Sequence, residues 1–187
     1  MRRIVIMTDG SAVAGSRDAF DSASSYVIMK DYEYIQQETT VLRGHTNNYA
    51  EMHAIYKGTK YCLENIKELD TYDQILIVTD SELCQKSLTV WMKSWLKKAT
   101  DEKLVSSTGS EVKNQELIKS TYINILTLML QIDVFVCHIN SHEPTSKIPQ
   151  MYEKINVKFP DMSYDEFVMI YEGNNKCDES ARESLRK

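Results

Sequence analysis

Three short apolar runs, rich in β-branched residues, punctuate the chain at residues 3–8, 75–79 and 132–137. Each is too short for a buried helix and lacks polar/apolar alternation, so each reads as a strand covered on both faces. The first runs into Asp9-Gly10-Ser11, which reads as a turn that exposes Asp9, and the second into Thr79-Asp80-Ser81. Residues 24–30 and 33–43 are two further strands, connected near Lys30-Asp31, and form an antiparallel meander. Ala50, Ala54, Ile55, Tyr61 and Cys62 share one face of a predicted helix over 47–65. A second helix starts at Ser81, which can cap it while Glu82 suits its positive end, and a third covers 114–130. Near the C-terminus, Ser163 followed by Glu166 is a capping box for a helix over 163–172, and Asp178 opens a separate short last helix.

Apolar strands joined by helices require parallel pairing through right-handed crossovers. Added to the meander, they predict an α/β fold: a mixed five-stranded sheet, antiparallel meander plus parallel strands, with helices on both faces. Functional groups of such sheets gather at the carboxyl ends of adjacent parallel strands, which makes Asp9 and Asp80 neighbours. At 187 residues a single domain, 1–187, is expected. No apolar stretch is long enough to cross a membrane and no basic-then-apolar leader opens the chain. The expectation is a cytoplasmic monomer (host cytoplasm if viral) with no membrane association. Cys62, Cys84, Cys137 and Cys177 show no CxxC spacing and read as reduced packing residues.

A net charge of −5 argues against a protein that coats nucleic acid non-specifically. It leaves room for an enzyme whose acids are neutralised by metal and whose basic patch lies elsewhere. Lys86 to Lys98 holds four lysines and no acid. Four acids occupy contexts suited to a hard cation: Asp9, Glu51 in Thr46-Asn47-Asn48-Tyr49-Ala50-Glu51, Asp80, and Asp178 in Asn174-Asn175-Lys176-Cys177-Asp178. Each alone reads equally well as a turn, cap or first-turn acid.

Together and in this order the motifs Asp-Gly-Ser, Thr-Asn-Asn-x-x-Glu, Thr-Asp-Ser and Asn-Asn-x-x-Asp resemble ribonuclease H of type 1, which cuts RNA paired to DNA. The resemblance runs from about Ile4 to Leu185. It includes Trp91-Met92-Lys93-Ser94-Trp95-Leu96-Lys97-Lys98 as the substrate-binding handle, followed by Val112-Lys113-Asn114. It implies the fold already read from the pattern and two Mg2+ ions, with Mn2+ an acceptable substitute. In the implied roles, Asp9 bridges both ions, Glu51 and Asp80 serve the leaving-group ion, and Asp178 the water-bearing ion. His142 would aid proton transfer or product release. Thr46, Asn47 and Asn48 would contact the minor groove of an RNA/DNA hybrid, Trp91 and Trp95 would shape a DNA-strand channel, and Lys93, Lys97 and Lys98 would hold phosphates.

The chain departs from the family's pattern in three places. Asn140-Ser141-His142 stands where Lys-Gly-His is usual, and residues 12–21 replace a glycine-rich stretch. An atypical insertion occupies about 143–172, with its predicted helix either a lid or only a decoration. Two rivals remain: an exonuclease or strand-transfer enzyme of the same superfamily, and a non-cleaving hybrid-binding module. A zinc site from Cys137, His138, His142 and Cys177 matches by ligand type, but its spacing fits no known pattern.

Overall fold

Alternation along the first strand decides the architecture. In β1 (Arg3–Val13), Ile4 and Ile6 point into one hydrophobic layer, while Val5 and Met7 point into the other. A computed structural model shows this arrangement and describes residues 1–13, 21–99, 101, 103–141 and 143–186, without the side chains of 68–70. β1 pairs antiparallel with β2 (Asp21–Lys30), which pairs antiparallel with β3 (Glu33–Arg43). On its other side β1 runs parallel to β4 (Gln74–Thr79), and β4 parallel to β5 (Asp133–His138). The sheet order is β3-β2-β1-β4-β5, the mixed five-stranded sheet that the pattern predicts. The hairpin turns at Asp31-Tyr32, both with positive φ (48° and 65°), as a two-residue connection between twisted strands requires.

One face is covered by α1 (Asn47–Glu64) and α4 (Gln115–Leu128), with α2 (Glu82–Lys86) and α3 (Met92–Lys98) at its edge. A π-helical turn, Ser87–Trp91, joins α2 to α3 without a break. The other face is covered by α5 (Ile148–Asn156) and α6 (Tyr164–Ser184). Ser163 caps α6 by accepting a hydrogen bond from the Glu166 amide, as its capping box predicts.

Two expectations need correction. β1 does not turn at Asp9-Gly10-Ser11 but stays paired with β2 out to Val13, so Asp9 lies inside a strand and is buried. The predicted helices on either side of residue 173 are one helix of 21 residues, so Asp178 sits in its C-terminal third and not in a first turn. Gly173, Asn174 and Asn175 are poor helix formers, but packing overrides that weak preference. Gly173 lies so close to Met7 that an added Cβ would come within 2.5 Å of its sulfur. The segment 143–172 contributes Ile148, Phe159, Met162, Phe167 and Ile170 to the second core, so it serves as that core's cover.

Arg3, at the start of β1, fastens α6 to this face. Its guanidinium is buried and donates to Glu166 and Asp161, both at 2.5 Å. Arg3→Ala would strand the Glu166 carboxylate in the core, with an expected loss of about 3–5 kcal/mol, whereas replacing Arg3 and Glu166 together with methionine should cost far less. Urea denaturation of both variants checks this.

Candidate metal centre

The parallel ladder between β1 and β4 ends at the pair Thr8–Thr79, and the next residue of each chain is an aspartate. Asp9 and Asp80 therefore leave the ladder side by side. The third acid comes from α1. Its N-terminal turns can lie against β1 because position 10 has no side chain: a Cβ on Gly10 would collide with the Glu51 amide nitrogen and sit 2.8 Å from the Ala50 carbonyl carbon. This close approach brings Glu51, one turn into α1, alongside Asp9. The ligand oxygens of Asp9, Glu51 and Asp80 lie within 4.8 Å of one another.

Two of these groups are withdrawn from water. Asp9 is 2% and Glu51 5% exposed, and Asp9 Oδ2 and Glu51 Oε2 are buried with no hydrogen-bond partner among the described residues. The remaining oxygens are poorly compensated. Asp9 Oδ1 accepts from the Gly10 amide at 2.7 Å, and Glu51 Oε1 accepts from Asn47 Nδ2 at 3.4 Å. Burial, reinforced by the charges of Asp80 and Asp178, pushes the Asp9 carboxyl up to about 8. Burial and the charges of Asp9 and Asp80 likewise hold the Glu51 carboxyl well above its ordinary range. Two unit charges 4.8 Å apart repel by roughly 3–4 kcal/mol at an effective dielectric of about 20. A cation is the direct remedy, and an all-carboxylate set with orphaned oxygens fits a hard divalent ion such as Mg2+ or Mn2+.

Asp80 is held from the loop after β5. Ser141, buried and absent from the sequence-predicted site, donates its hydroxyl to Asp80 Oδ2 at 2.9 Å. His138, at the end of β5, donates from Nε2 to the Asp80 carbonyl at 2.9 Å. On the second face, Asn174 Nδ2 donates to the Thr8 carbonyl at 2.8 Å and Cys177 Sγ to that of Met7 at 3.3 Å. These bonds seat α6 beside Asp9. Asp178 stands outside the group of three, paired with Arg182 at 2.8 Å, yet near enough to Asp9 to raise its pKa. Cys177, a member of the zinc reading, is spent on that backbone bond. His142 lies outside the described residues.

The nucleic-acid candidates divide in two. Thr46 caps α1, and it, Asn47 and Asn48 are exposed beside Glu51. A groove of about 340 Å³ runs from Thr46 and Asn48 past Met52 to Trp91 and Trp95. The two indoles are 5.7 Å apart, but only Trp91 reaches solvent to any extent (37%), while Trp95 (9%) packs in the core. Lys93, Lys97 and Lys98 are exposed on the outer side of α3.

Solved structures share this fold. The ribonuclease H domain of prototype foamy virus is 21% identical, with 97% of this chain and 93% of that one covered at a TM-score of 0.63. The foamy viral protease–reverse transcriptase in complex with RNA/DNA hybrid is also 21% identical, at a TM-score of 0.63 over 96% of this chain. The present chain spans about a fifth of that protein's length (19%). A ribonuclease H1 isolated from compost by a metagenomic approach is 20% identical, covering 82% of this chain and 92% of that one at a TM-score of 0.51. No curated protein sequence matches the chain. No helix among the described residues is long and apolar enough to cross a membrane. The order of the strands, the acids at the end of β1 and β4, and a ribonuclease H family model that matches residues 1–186 agree, and the chain belongs to the ribonuclease H family.

Proposed function

We propose that this protein is a metal-dependent endonuclease that hydrolyses the RNA strand of RNA/DNA hybrids, leaving 5′-phosphate and 3′-hydroxyl ends. The observation that carries the reading is the trio Asp9, Glu51 and Asp80, the first two buried: their carboxylates converge, and Asp9 Oδ2 and Glu51 Oε2 have no partner among the described residues. Residues 1–187 act in this reading as one ribonuclease H domain with 143–172 as its atypical part, in keeping with the span of the family match.

Asp9, Glu51 and Asp80 would hold the metal, with Asp178 a fourth ligand once its side chain leaves Arg182. A pair of bound divalent cations supplies an activated water and a stabilised leaving 3′ oxygen. The chain's own part is to fix the carboxylates before substrate arrives. β1 and β4 set the Asp9–Asp80 spacing, and the Gly10 contact sets Glu51 against both. Thr46, Asn47 and Asn48 border this site with compact donors and acceptors, suited to 2′-hydroxyls across a shallow minor groove. The groove toward Trp91 would take the DNA strand, and Lys93, Lys97 and Lys98 its phosphates.

Asp9→Asn should lower cleavage of a labelled hybrid at least about a hundredfold, more than is usual for a group that merely supports a ligand. The same variant tests the electrostatics without substrate. An acid whose folded pKa is raised binds its proton more tightly in the fold, so stability falls as pH rises between the unfolded and folded values. Metal-free wild type should therefore lose melting temperature from about pH 4, the ordinary carboxylate range, to pH 8, the Asp9 value. Asp9→Asn should show a shallower decline, and added Mg2+ should restore wild-type stability most at the upper end. Near-normal cleavage by Asp9→Asn would remove the metal-centre reading.

Substrate choice is a separate test. A DNA duplex with a short ribonucleotide run in one strand should be cut within the run, and the all-DNA duplex should survive. Equal cutting of both would favour the exonuclease or strand-transfer reading. Alanine at Lys93, Lys97 and Lys98 together should raise KM, leave kcat nearly unchanged and flatten the salt dependence of binding by up to about two to three logarithmic units per decade of salt. Steady-state kinetics at several salt concentrations decides it.

A further inference from the structure

The last residue of β5 and the loop after it hold Thr79 and Asp80, at the end of β4, through three hydrogen bonds. The Ile139 amide donates to the Thr79 carbonyl at 3.0 Å. His138 Nε2 donates to the Asp80 carbonyl, and Ser141 Oγ to the Asp80 carboxylate, both at 2.9 Å. The first two bonds fix the backbone of residues 79 and 80. The third acts on the Asp80 side chain itself. Ser141 is itself 4% exposed, so its hydroxyl has little access to water and is directed to Oδ2.

We infer that Ser141 is a positioning residue for the metal centre: its hydroxyl orients the Asp80 carboxylate toward Asp9 and Glu51, so that the three-ligand set is assembled before a cation binds. This rests on the reading of those three acids as metal ligands. A carboxylate has two oxygens with several lone-pair directions, and a hydroxyl donating to one of them helps to fix which way the group faces. Hydrogen bonds from beyond the ligands typically contribute about ten- to hundredfold in metal affinity by this route. Ser141 is one of the positions at which the loop departs from Lys-Gly-His. Glycine there would have no hydroxyl to offer, so the device belongs to this chain's own sequence.

The test is Mn2+ binding to the whole protein without nucleic acid, followed by electron paramagnetic resonance of the free ion, in wild type, Ser141→Ala and Ser141→Thr. Melting temperatures without metal are measured in parallel. The inference expects Mn2+ to bind wild type, to bind Ser141→Ala about ten- to hundredfold more weakly, and to regain most of that affinity in Ser141→Thr, which keeps the hydroxyl. Hybrid cleavage should follow the same order, with the loss in Ser141→Ala recovered at high Mn2+. Equal Mn2+ affinity in wild type and Ser141→Ala overturns the inference while leaving the metal centre in place. Equal weakening in Ser141→Ala and Ser141→Thr, with both melting temperatures lowered, assigns Ser141 to packing and also overturns it. Failure of wild type to bind Mn2+ removes the metal-centre reading itself, and the role of Ser141 with it.

Discussion

The crowding of three acids at the end of β1, two of them held above their ordinary pKa by burial, is the condition to which the rest of the molecule answers. These acids lie within 4.8 Å of one another, two of them almost fully withdrawn from water, and once ionised they repel. They stay together because each rides on a different rigid piece. Asp9 is in the central strand, Asp80 one residue past a strand buried on both faces, and Glu51 on a helix pressed against the strand through a missing side chain. Both hydrophobic layers of the sheet meet at this strand, so the strand that carries Asp9 is packed on both faces.

That arrangement explains why much of the fold could be read from the sequence. Strands covered on both faces leave continuous apolar runs, and those at 3–8 and 75–79 stop where the aspartates begin. Ser81 and Ser163 cap helices through local bonds that a short motif encodes completely. The misreadings come from interactions between distant parts of the chain. Asp9-Gly10-Ser11 has turn chemistry, but pairing with β2 carries the strand past it. Gly10 proved to matter for what approaches it and not for a bend. Gly173-Asn174-Asn175 reads as a helix break, yet Asn174 bonds to the Thr8 carbonyl and the glycine admits Met7.

The site was legible to the same degree. Asp9, Glu51 and Asp80 meet, because strand ends and a helix start are local features with predictable neighbours. Asp178 was expected to open a short helix of its own but lies in the C-terminal third of α6, and its partner Arg182, one turn on, gave no recognisable signal. Of the two tryptophans, four residues apart on one helical face, the sequence could not say that one would be buried and the other exposed. Ser141 was visible only as a departure from a pattern, since its bond to Asp80 joins residues 61 positions apart.

The continuity of α6 has a mechanical consequence. Its N-terminal end is bolted to β1 by Arg3 through Glu166, and its other end carries Asp178, twelve residues further on. At the usual helical rise the two points are roughly 18 Å apart, so a tilt of roughly 3° about the bolt would swing Asp178 by roughly 1 Å. A displacement of that size is enough to spoil a reacting geometry. The helix is thus a lever arm, and the tolerance at the acidic cluster is set partly by an ion pair at the opposite end of β1. Sequence drift near residues 161–166 would be felt as a loss of alignment far away, with no change at all in the acids themselves.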